Sequence, residues 1–257
     1  MAEPLPVSIV IITKNEAARL PDCLASVAWA AERLVVDDES TDRTVEIARQ
    51  AGARVLTRRM DIEGRHRNWA YAQASQPWVL SLDADERVTP ELAAEIRQLL
   101  AQPPPFDAYT IPRKNFIGEH WLRYGGWYPS AQLRLFKRGV FTYEEAEVHP
   151  RAVCDRAWGN LRGDLLHYSY AGFADFVAKM NRQTTLEAQK WLRTGRRVTC
   201  GVMLWRAVDR FVRAYLMKRG YRDGFTGFMA ALFGSWYQLL SYAKYWELAQ
   251  QRRSTSQ

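Results

Sequence analysis

Cysteine is scarce in this 257-residue chain. Cys23, Cys154 and Cys200 lie far apart with no Cys-x-x-Cys pair. That excludes a disulfide framework and a thiolate zinc site. No run of about 18 apolar residues occurs, so no helix is expected to span a bilayer. The start, Met1-Ala2-Glu3-Pro4-Leu5-Pro6, lacks the basic segment and apolar stretch of a signal peptide. A cytoplasmic protein is the default expectation. Acidic residues are few in the second half: residues 151–257 hold 7 Asp and Glu against 18 Lys and Arg, a balance of +11. Residues 1–150 hold 21 against 18, a balance of −3. Such asymmetry points to an anionic partner for the second half, whether nucleic acid, acidic lipid or a phosphorylated substrate, with a solvated basic face as the plainer reading.

What is present is an ordinary folded composition, 47% hydrophobic and 25% charged, with an unusual 10 tryptophans. The length admits one large α/β domain or a catalytic domain with an appendage. Val7–Ile12 is a continuous β-branched run, the pattern of a strand buried on both faces. Helix formers follow over Ala17–Ala31. Leu34–Val36 and Arg54–Leu56 read as strands, separated by a helix over Thr44–Ala51 that Gly52 closes. Gly64–Ala74 reads as a helix and Trp78–Leu82 as a fourth strand. Thr89 and Pro90 open a helix that runs to about Leu100. Alternating strands and helices imply a mainly parallel, Rossmann-like α/β sheet flanked by helices, with ligands at the carboxyl ends of its strands. Three polar clusters stand there: Thr13–Glu16, Asp37–Asp42 and Asp83–Glu86. Residues 106–170 read as short strands, among them Tyr109–Pro112, Leu133–Phe136 and Leu165–Tyr168, around an aromatic loop, Trp121–Tyr128. Residues 171–257 read as a basic, helical region.

Asp83-Ala84-Asp85 directly follows an apolar strand. Carboxylates at i and i+2 on a strand end suit a shared Mg²⁺ or Mn²⁺ and its bound diphosphate. An acidic turn before a helix explains the same triplet. The linked motifs decide more than the triplet does. Val7–Ile12 with Thr13-Lys14-Asn15-Glu16, Val35-Val36-Asp37-Asp38-Glu39-Ser40-Thr41-Asp42, Arg67-Asn68 and Leu80–Glu86 resemble, in order and spacing, the family 2 glycosyltransferases. The resemblance covers roughly residues 6–100. It implies an inverting enzyme with a GT-A fold, a nucleotide-sugar donor and a divalent cation. By the same resemblance Thr13, Asn15, Glu16 and Asp37 line the nucleoside pocket, and Arg67 with Asn68 stands near the diphosphate. Asp83 contacts the ribose or the metal's water, and Asp85 holds the metal. Capping of helices remains the competing account for Glu16 and Asp42. The departure is Glu39, where many members carry Gly.

An inverting transfer needs a base for the acceptor hydroxyl. The family keeps an acidic residue for it after a later strand, which here points to Glu145 first and Glu144 second, within Glu144-Glu145-Ala146-Glu147. His149 is a weaker candidate on the acceptor side. The aromatic loop suits stacking on sugar rings or core packing equally.

In the second half Met203, Leu204, Ala207, Val208, Phe211, Val212, Tyr215 and Leu216 repeat at helical spacing, with Arg206, Arg210 and Arg213 between them. A second stripe runs from Phe225 to Trp246. Cationic amphipathic helices of this kind lie on anionic membrane surfaces or pack as a hairpin on a neighbouring domain. Gly220-Tyr221-Arg222-Asp223-Gly224-Phe225, the closing Tyr242-Ala243-Lys244-Tyr245-Trp246, Phe136 and Val148-His149 resemble the bacterial lipopolysaccharide-core β-1,4-glucosyltransferase subgroup. That implies UDP-glucose as donor, a lipid-linked inner-core glycan as acceptor and a peripheral place on the inner face of the cytoplasmic membrane. Two other classes were weighed. A sugar-nucleotide nucleotidyltransferase is expected to carry a Gly-rich basic loop where Thr13-Lys14-Asn15-Glu16 stands. A nucleic-acid-binding protein is expected to show a basic stripe interleaved with exposed aromatics, and no nucleic acid partner is expected here.

Overall fold

The computed structural model describes residues 3–145, 151–196 and 198–254. The chain runs β1 (Leu5–Thr13), α1 (Leu20–Ser26), β2 (Ala30–Asp37), α2 (Thr44–Gln50), β3 (Arg54–Thr57), α3 (Glu63–Ala72), β4 (Trp78–Asp83), β5 (Glu86–Val88) and α4 (Pro90–Leu100). Then come β6 (Ala108–Ile111), β7 (Arg113–Ile117), β8 (His120–Leu122), β9 (Gln132–Lys137), β10 (Thr142–Tyr143), β11 (Ala152–Val153), β12 (Gly159–Asn160) and β13 (Leu165–Tyr170). Helices α5 (Phe173–Arg193), α6 (Cys200–Val212) and α7 (Gly224–Ser254) complete it. Contacts divide the chain into one unit of residues 1–113 with 130–167 and another of 114–129 with 168–257.

The first unit is built on a seven-stranded sheet of order β12-β6-β9-β4-β1-β2-β3. Strands β4, β1, β2 and β3 are mutually parallel, and β9 runs antiparallel between β4 and β6. The mainly parallel α/β fold expected from the alternation is therefore the fold observed. Both faces of β1 are covered. Val7, Ile9 and Ile11 pack with Leu20, Leu24, Ala48, Leu92 and Ile96 from α1, α2 and α4. Val10 packs on the other side with Ala70 and Tyr71 of α3 and with Phe136. A strand buried on two sides has no solvent face for polar residues, hence its unbroken apolar run. Each fully buried Ile or Val contributes about 1.5–3 kcal/mol of transfer free energy.

Helix ends follow local chemistry. Thr89 Oγ1 accepts the Leu92 N–H at 3.2 Å, and Pro90 fills the first helical position, where a missing N–H costs nothing. Gly52 closes α2 at φ 74°, its N–H donating to the Arg49 carbonyl at 2.9 Å. The helix expected over Ala17–Ala31 is shorter, Leu20–Ser26. Pro21 suits only its first turn, and from Ala30 the chain already pairs with β1 as β2, so tertiary pairing overrides helix propensity.

The second unit packs α7 against α5 and α6. Its core joins Ile117 and Leu122 of the β7–β8 hairpin with Phe176, Met180, Ala230 and Phe233. Gly220 and Gly227 are needed where the chain turns into α7: a Cβ on Gly227 would lie 2.0 Å from the Gly220 carbonyl oxygen. Among the described residues no helix is long and apolar enough to cross a membrane.

Candidate active site

Register brings the polar clusters together. Thr13 pairs with Asp37 across β1 and β2, and Ile12 pairs with Asp83 across β1 and β4. Thr13, Asp37 and Asp83 thus end three adjacent parallel strands at one level of the carboxyl edge. The chain leaves β1 for β2 on one side and returns through α3 to β4 on the other. That reversal beside β1 is where open α/β sheets bind ligands.

The first two clusters form one hydrogen-bonded loop pair. Buried Asp37 accepts the Ser40 N–H through Oδ2 at 2.9 Å and the Thr13 hydroxyl through Oδ1 at 3.4 Å. Asn15 sits at φ 56°; its N–H donates to Ser40 Oγ, and its Oδ1 accepts the Thr41 N–H, both at 2.8 Å. The Glu16 N–H donates to Thr44 Oγ1 at 2.8 Å, while its carboxylate stands 3.4 Å from Arg19. Asp42, the residue before Arg43, which is the N-cap of α2, accepts the Thr44 N–H at 3.0 Å. Asp38 pairs with Lys14 at 2.9 Å and accepts the Met60 N–H at 2.7 Å. Burial pushes its carboxyl up, but the Met60 N–H and Lys14 outweigh this and hold it below the usual range. Glu39 adopts φ 53°, the left-handed conformation glycine takes without strain. The turn accommodates Glu at that backbone geometry and leaves Asp37 in place.

The third cluster is a charge network. Arg134 on β9, 2% exposed, donates to Asp83 Oδ2 at 2.7 Å and Glu86 Oε1 at 2.9 Å. Arg67 on α3 donates to Asp83 Oδ1 at 3.1 Å and to Glu63 at 3.1 Å. Arg113 reaches fully buried Glu86 at 3.4 Å, and Glu86 Oε2 accepts the Asp83 N–H at 2.9 Å. Burial opposes the Asp83 charge, but the guanidinium groups of Arg134 and then Arg67 hold its carboxyl well below the usual carboxylate range. Both Asp83 oxygens therefore face guanidinium groups. Arg67, Asp83, Arg113, Arg134 and Tyr143 line a cavity of about 520 Å³. With its fixed planar donors, that wall is suited to phosphate oxygens.

Asp85, two residues beyond Asp83, has His167 Nε2 at 3.6 Å. Among the described residues no three His, Cys, Asp or Glu side chains form a closed metal cage. An open carboxylate site completed by substrate phosphates fits the residues present, since Mg²⁺-type sites use one or two carboxylates and keep other positions for phosphate and water.

Asn68 exchanges two hydrogen bonds with the backbone of Tyr143, both at 2.8 Å, and so ties α3 to β10. Glu145 is exposed and takes Arg65 at 2.8 Å; that hydrogen bond holds its carboxyl below the usual range. The Glu144 N–H donates to the Arg151 carbonyl at 2.9 Å. Neither lines the cavity beside Asp83. Glu147, Val148 and His149 lie outside the described residues. In the aromatic loop, Trp127 packs in the core of the second unit, 6.3 Å from Phe176. Lys114 and Arg123 each stand over the Trp121 ring at 5.1 Å from its centre.

The sequence places Glu86 in the third polar cluster without a role and gives no role to Arg113 or Arg134. One signal was available: Arg134 interrupts the apolar strand Leu133–Phe136, and a charge inside a buried strand demands a buried counter-charge. The acid next to Asp85 was its partner.

Residues 8–154 match the family model described as Glycosyl transferase family 2. The chain belongs to this family. It is a family 2 glycosyltransferase, and the sugar-nucleotide nucleotidyltransferase alternative is set aside. It is 30% identical over 254 residues to the lipopolysaccharide core biosynthesis glycosyltransferase LpsC of Rhizobium meliloti, covering 96% of this chain and 94% of that one. An uncharacterized glycosyltransferase of Rickettsia typhi is 26% identical, covering 96% and 89%. Among solved structures, S. aureus TarS is similar at 15% identity with a TM-score of 0.47, covering 93% and 91%.

Proposed function

We propose that this family 2 glycosyltransferase is inverting. It moves glucose from UDP-glucose to the lipopolysaccharide inner core, or to another lipid-linked glycan, in one metal-assisted displacement. The observation that carries the proposal is the convergence of Arg67, Arg134 and Asp83 on one cavity, at the strand edge where β2 ends in Asp37 and the turn after β4 carries Asp85. A wall of guanidinium groups beside carboxylates suits a diphosphate with its cation. The acceptor class is supported by the similarity to LpsC, whose own name states lipopolysaccharide core biosynthesis.

In this reading Thr13, Asn15, Glu16 and Asp37 hold the nucleoside, whose base N–H and ribose hydroxyls suit carboxylate and carbonyl acceptors. Arg67 meets the diphosphate and Asn68 fixes the strand that carries Tyr143. A divalent cation, Mg²⁺ or Mn²⁺, held by Asp85 with Asp83 beside it, neutralises charge on the leaving diphosphate when bound. Glu145, with Glu144 as second candidate, takes the proton of the acceptor hydroxyl as that oxygen attacks the anomeric carbon from the face opposite the leaving group. The hydrogen bond from Arg65 holds the Glu145 carboxyl below the usual range. The protein acts at an anionic membrane surface, on the inner face of the cytoplasmic membrane; the basic second half and the exposed Trp205, Leu216 and Trp236 support this.

The test is release of nucleoside diphosphate from a panel of UDP-, GDP- and dTDP-sugars with Mn²⁺, Mg²⁺ or EDTA. Release from UDP-glucose is expected to need metal and to fall by roughly a hundredfold or more in Asp85→Ala, on the scale of losing an electrostatic stabiliser of the transition state. Turnover that survives both EDTA and the substitution refutes the metal role. Glu145→Gln is expected to abolish transfer while sparing donor binding.

A further inference from the structure

The second unit holds a cavity of about 670 Å³ that the sugar-transfer chemistry leaves without a task. Arg206, Arg210 and Arg213 line it from α6 and its continuation, and Lys218 closes one end. Their spacing of four and three residues puts the three arginines on one helical face. Asp209 is the single carboxylate in the wall, and it is engaged by Arg213 at 2.7 Å. Among the described residues Arg206, Arg210 and Lys218 have no ion-pair partner. Arg206, Arg210, Arg213 and Lys218 are exposed and solvated, and together they concentrate positive potential at the cavity mouth.

Two further features shape it. Beyond Val212 the helix widens into a π turn over Arg213–Met217, with the Lys218 N–H reaching the Arg213 carbonyl at 2.8 Å. Such turns are uncommon and concentrate at functional sites. The opposite wall on α7 holds the small residues Ala230, Ala231 and Gly234 with Gln238 beyond them, and a Cβ added to Gly234 would stand 3.5 Å from Arg210 Nε. Arg210 thus lies over the Gly234 position, and a larger side chain there would press on Arg210 and narrow the cavity.

The exposed surface of the same helix that turns away from the arginines is apolar. Leu204, Trp205, Val208, Val212 and Leu216 lie along it, with Trp205 69% exposed. A helix that carries arginines on one face and exposed apolar side chains on another complements a lipid surface: acyl chains for one, head-group phosphate for the other. We propose that this cavity binds the phosphate of an anionic lipid head group, with the apolar face of α6 seated in the bilayer beside it. The inference rests on the membrane-association part of the function proposed above and names the residues responsible.

The experiment is vesicle co-sedimentation of the full chain with phosphatidylcholine alone and with phosphatidylcholine carrying phosphatidic acid. Preference for the phosphatidic acid vesicles is expected. Arg206→Gln with Arg210→Gln is expected to weaken binding to them by roughly 30-fold, from about 1 kcal/mol per basic residue at a charged surface. Gly234→Met keeps every charge but fills the cavity, and is expected to bring phosphatidic acid binding close to the phosphatidylcholine level. Trp205→Ala is expected to weaken binding to both vesicles. Thermal unfolding and donor hydrolysis report that each variant is folded and its sugar site intact. Wild-type binding by Gly234→Met would overturn the cavity and leave only surface charge. Displacement by inorganic phosphate alone, indifferent to Trp205→Ala, would make the ligand a soluble phosphate and overturn the lipid assignment. Absence of binding to either vesicle would overturn the inference together with membrane association, while leaving glycosyl transfer to be judged by the donor assay.

Discussion

Replacing Arg134 with Met tests whether the charge network positions the catalytic edge. Arg134 is 2% exposed and bonds Asp83 at 2.7 Å and fully buried Glu86 at 2.9 Å. Met keeps most of the side-chain volume and removes the cation. Glu86 keeps the Asp83 N–H at 2.9 Å and, as ion pair, the longer contact to Arg113 at 3.4 Å, and Asp83 keeps Arg67 at 3.1 Å. Removing one partner of a buried pair costs about 3–5 kcal/mol, because the other charge stays buried. At about 2–4 °C per kcal/mol for a chain of this size, the melting temperature falls by roughly 6–20 °C at pH 7. The pH dependence has a definite sign. The Asp83 carboxyl is held below its unfolded value, so the stabilisation is complete above about pH 4 and is lost as pH falls towards the folded value. The gap between wild type and variant is therefore widest near neutrality and narrows below about pH 4. Thermal unfolding followed by circular dichroism across pH 3–8 measures it. A shift under about 2 °C at pH 7, or a gap that does not change with pH, refutes the reasoning. Arg134→Lys is expected to fall between, since one ammonium lacks the guanidinium's fork.

Glu39→Gly removes a left-handed L-residue at φ 53°. Strain relief of about 1–2 kcal/mol, less the unfolded-state entropy of Gly, leaves a gain of about 0.5–1 kcal/mol, read as a raised denaturation midpoint at unchanged slope. A lowered midpoint refutes it. His66 on α3 is fully buried, with neither ring nitrogen bonded to a described residue. Burial, and then the charge of Arg58, holds its pKa below the ordinary value. The folded protein thus keeps the ring neutral, and stability declines as pH falls below about 6.5, where the unfolded chain takes up the proton. His66→Leu is expected to flatten the decline between pH 7 and 5 in urea unfolding. Equal slopes in both proteins would show that other groups cause it.

Some of the site was readable because strands and loops announce themselves locally. Val7–Ile12 is apolar throughout since both its faces are covered, and each polar cluster follows a strand because backbone direction places all parallel strand ends on one edge. Pro21 could not be weighed in the same way. Whether residues 27–31 continue a helix or begin a strand depended on β1 lying alongside.

By itself, then, the sequence determined the alternating α/β layout, the family motifs from Thr13 to Asp85 and the basic character of the second half, all properties of short segments and their spacing. Only the tertiary structure decided which charges meet. Arg134 and Glu86 are 48 residues apart and become partners through the β4–β9 pairing. The loop 114–129 joins the helical unit, and Arg206 and Arg210 of α6 come to line one cavity with Ala230, Ala231 and Gly234 of α7. Contacts between distant segments are set by how apolar faces pack, and packing is a property of the whole chain that no local pattern records.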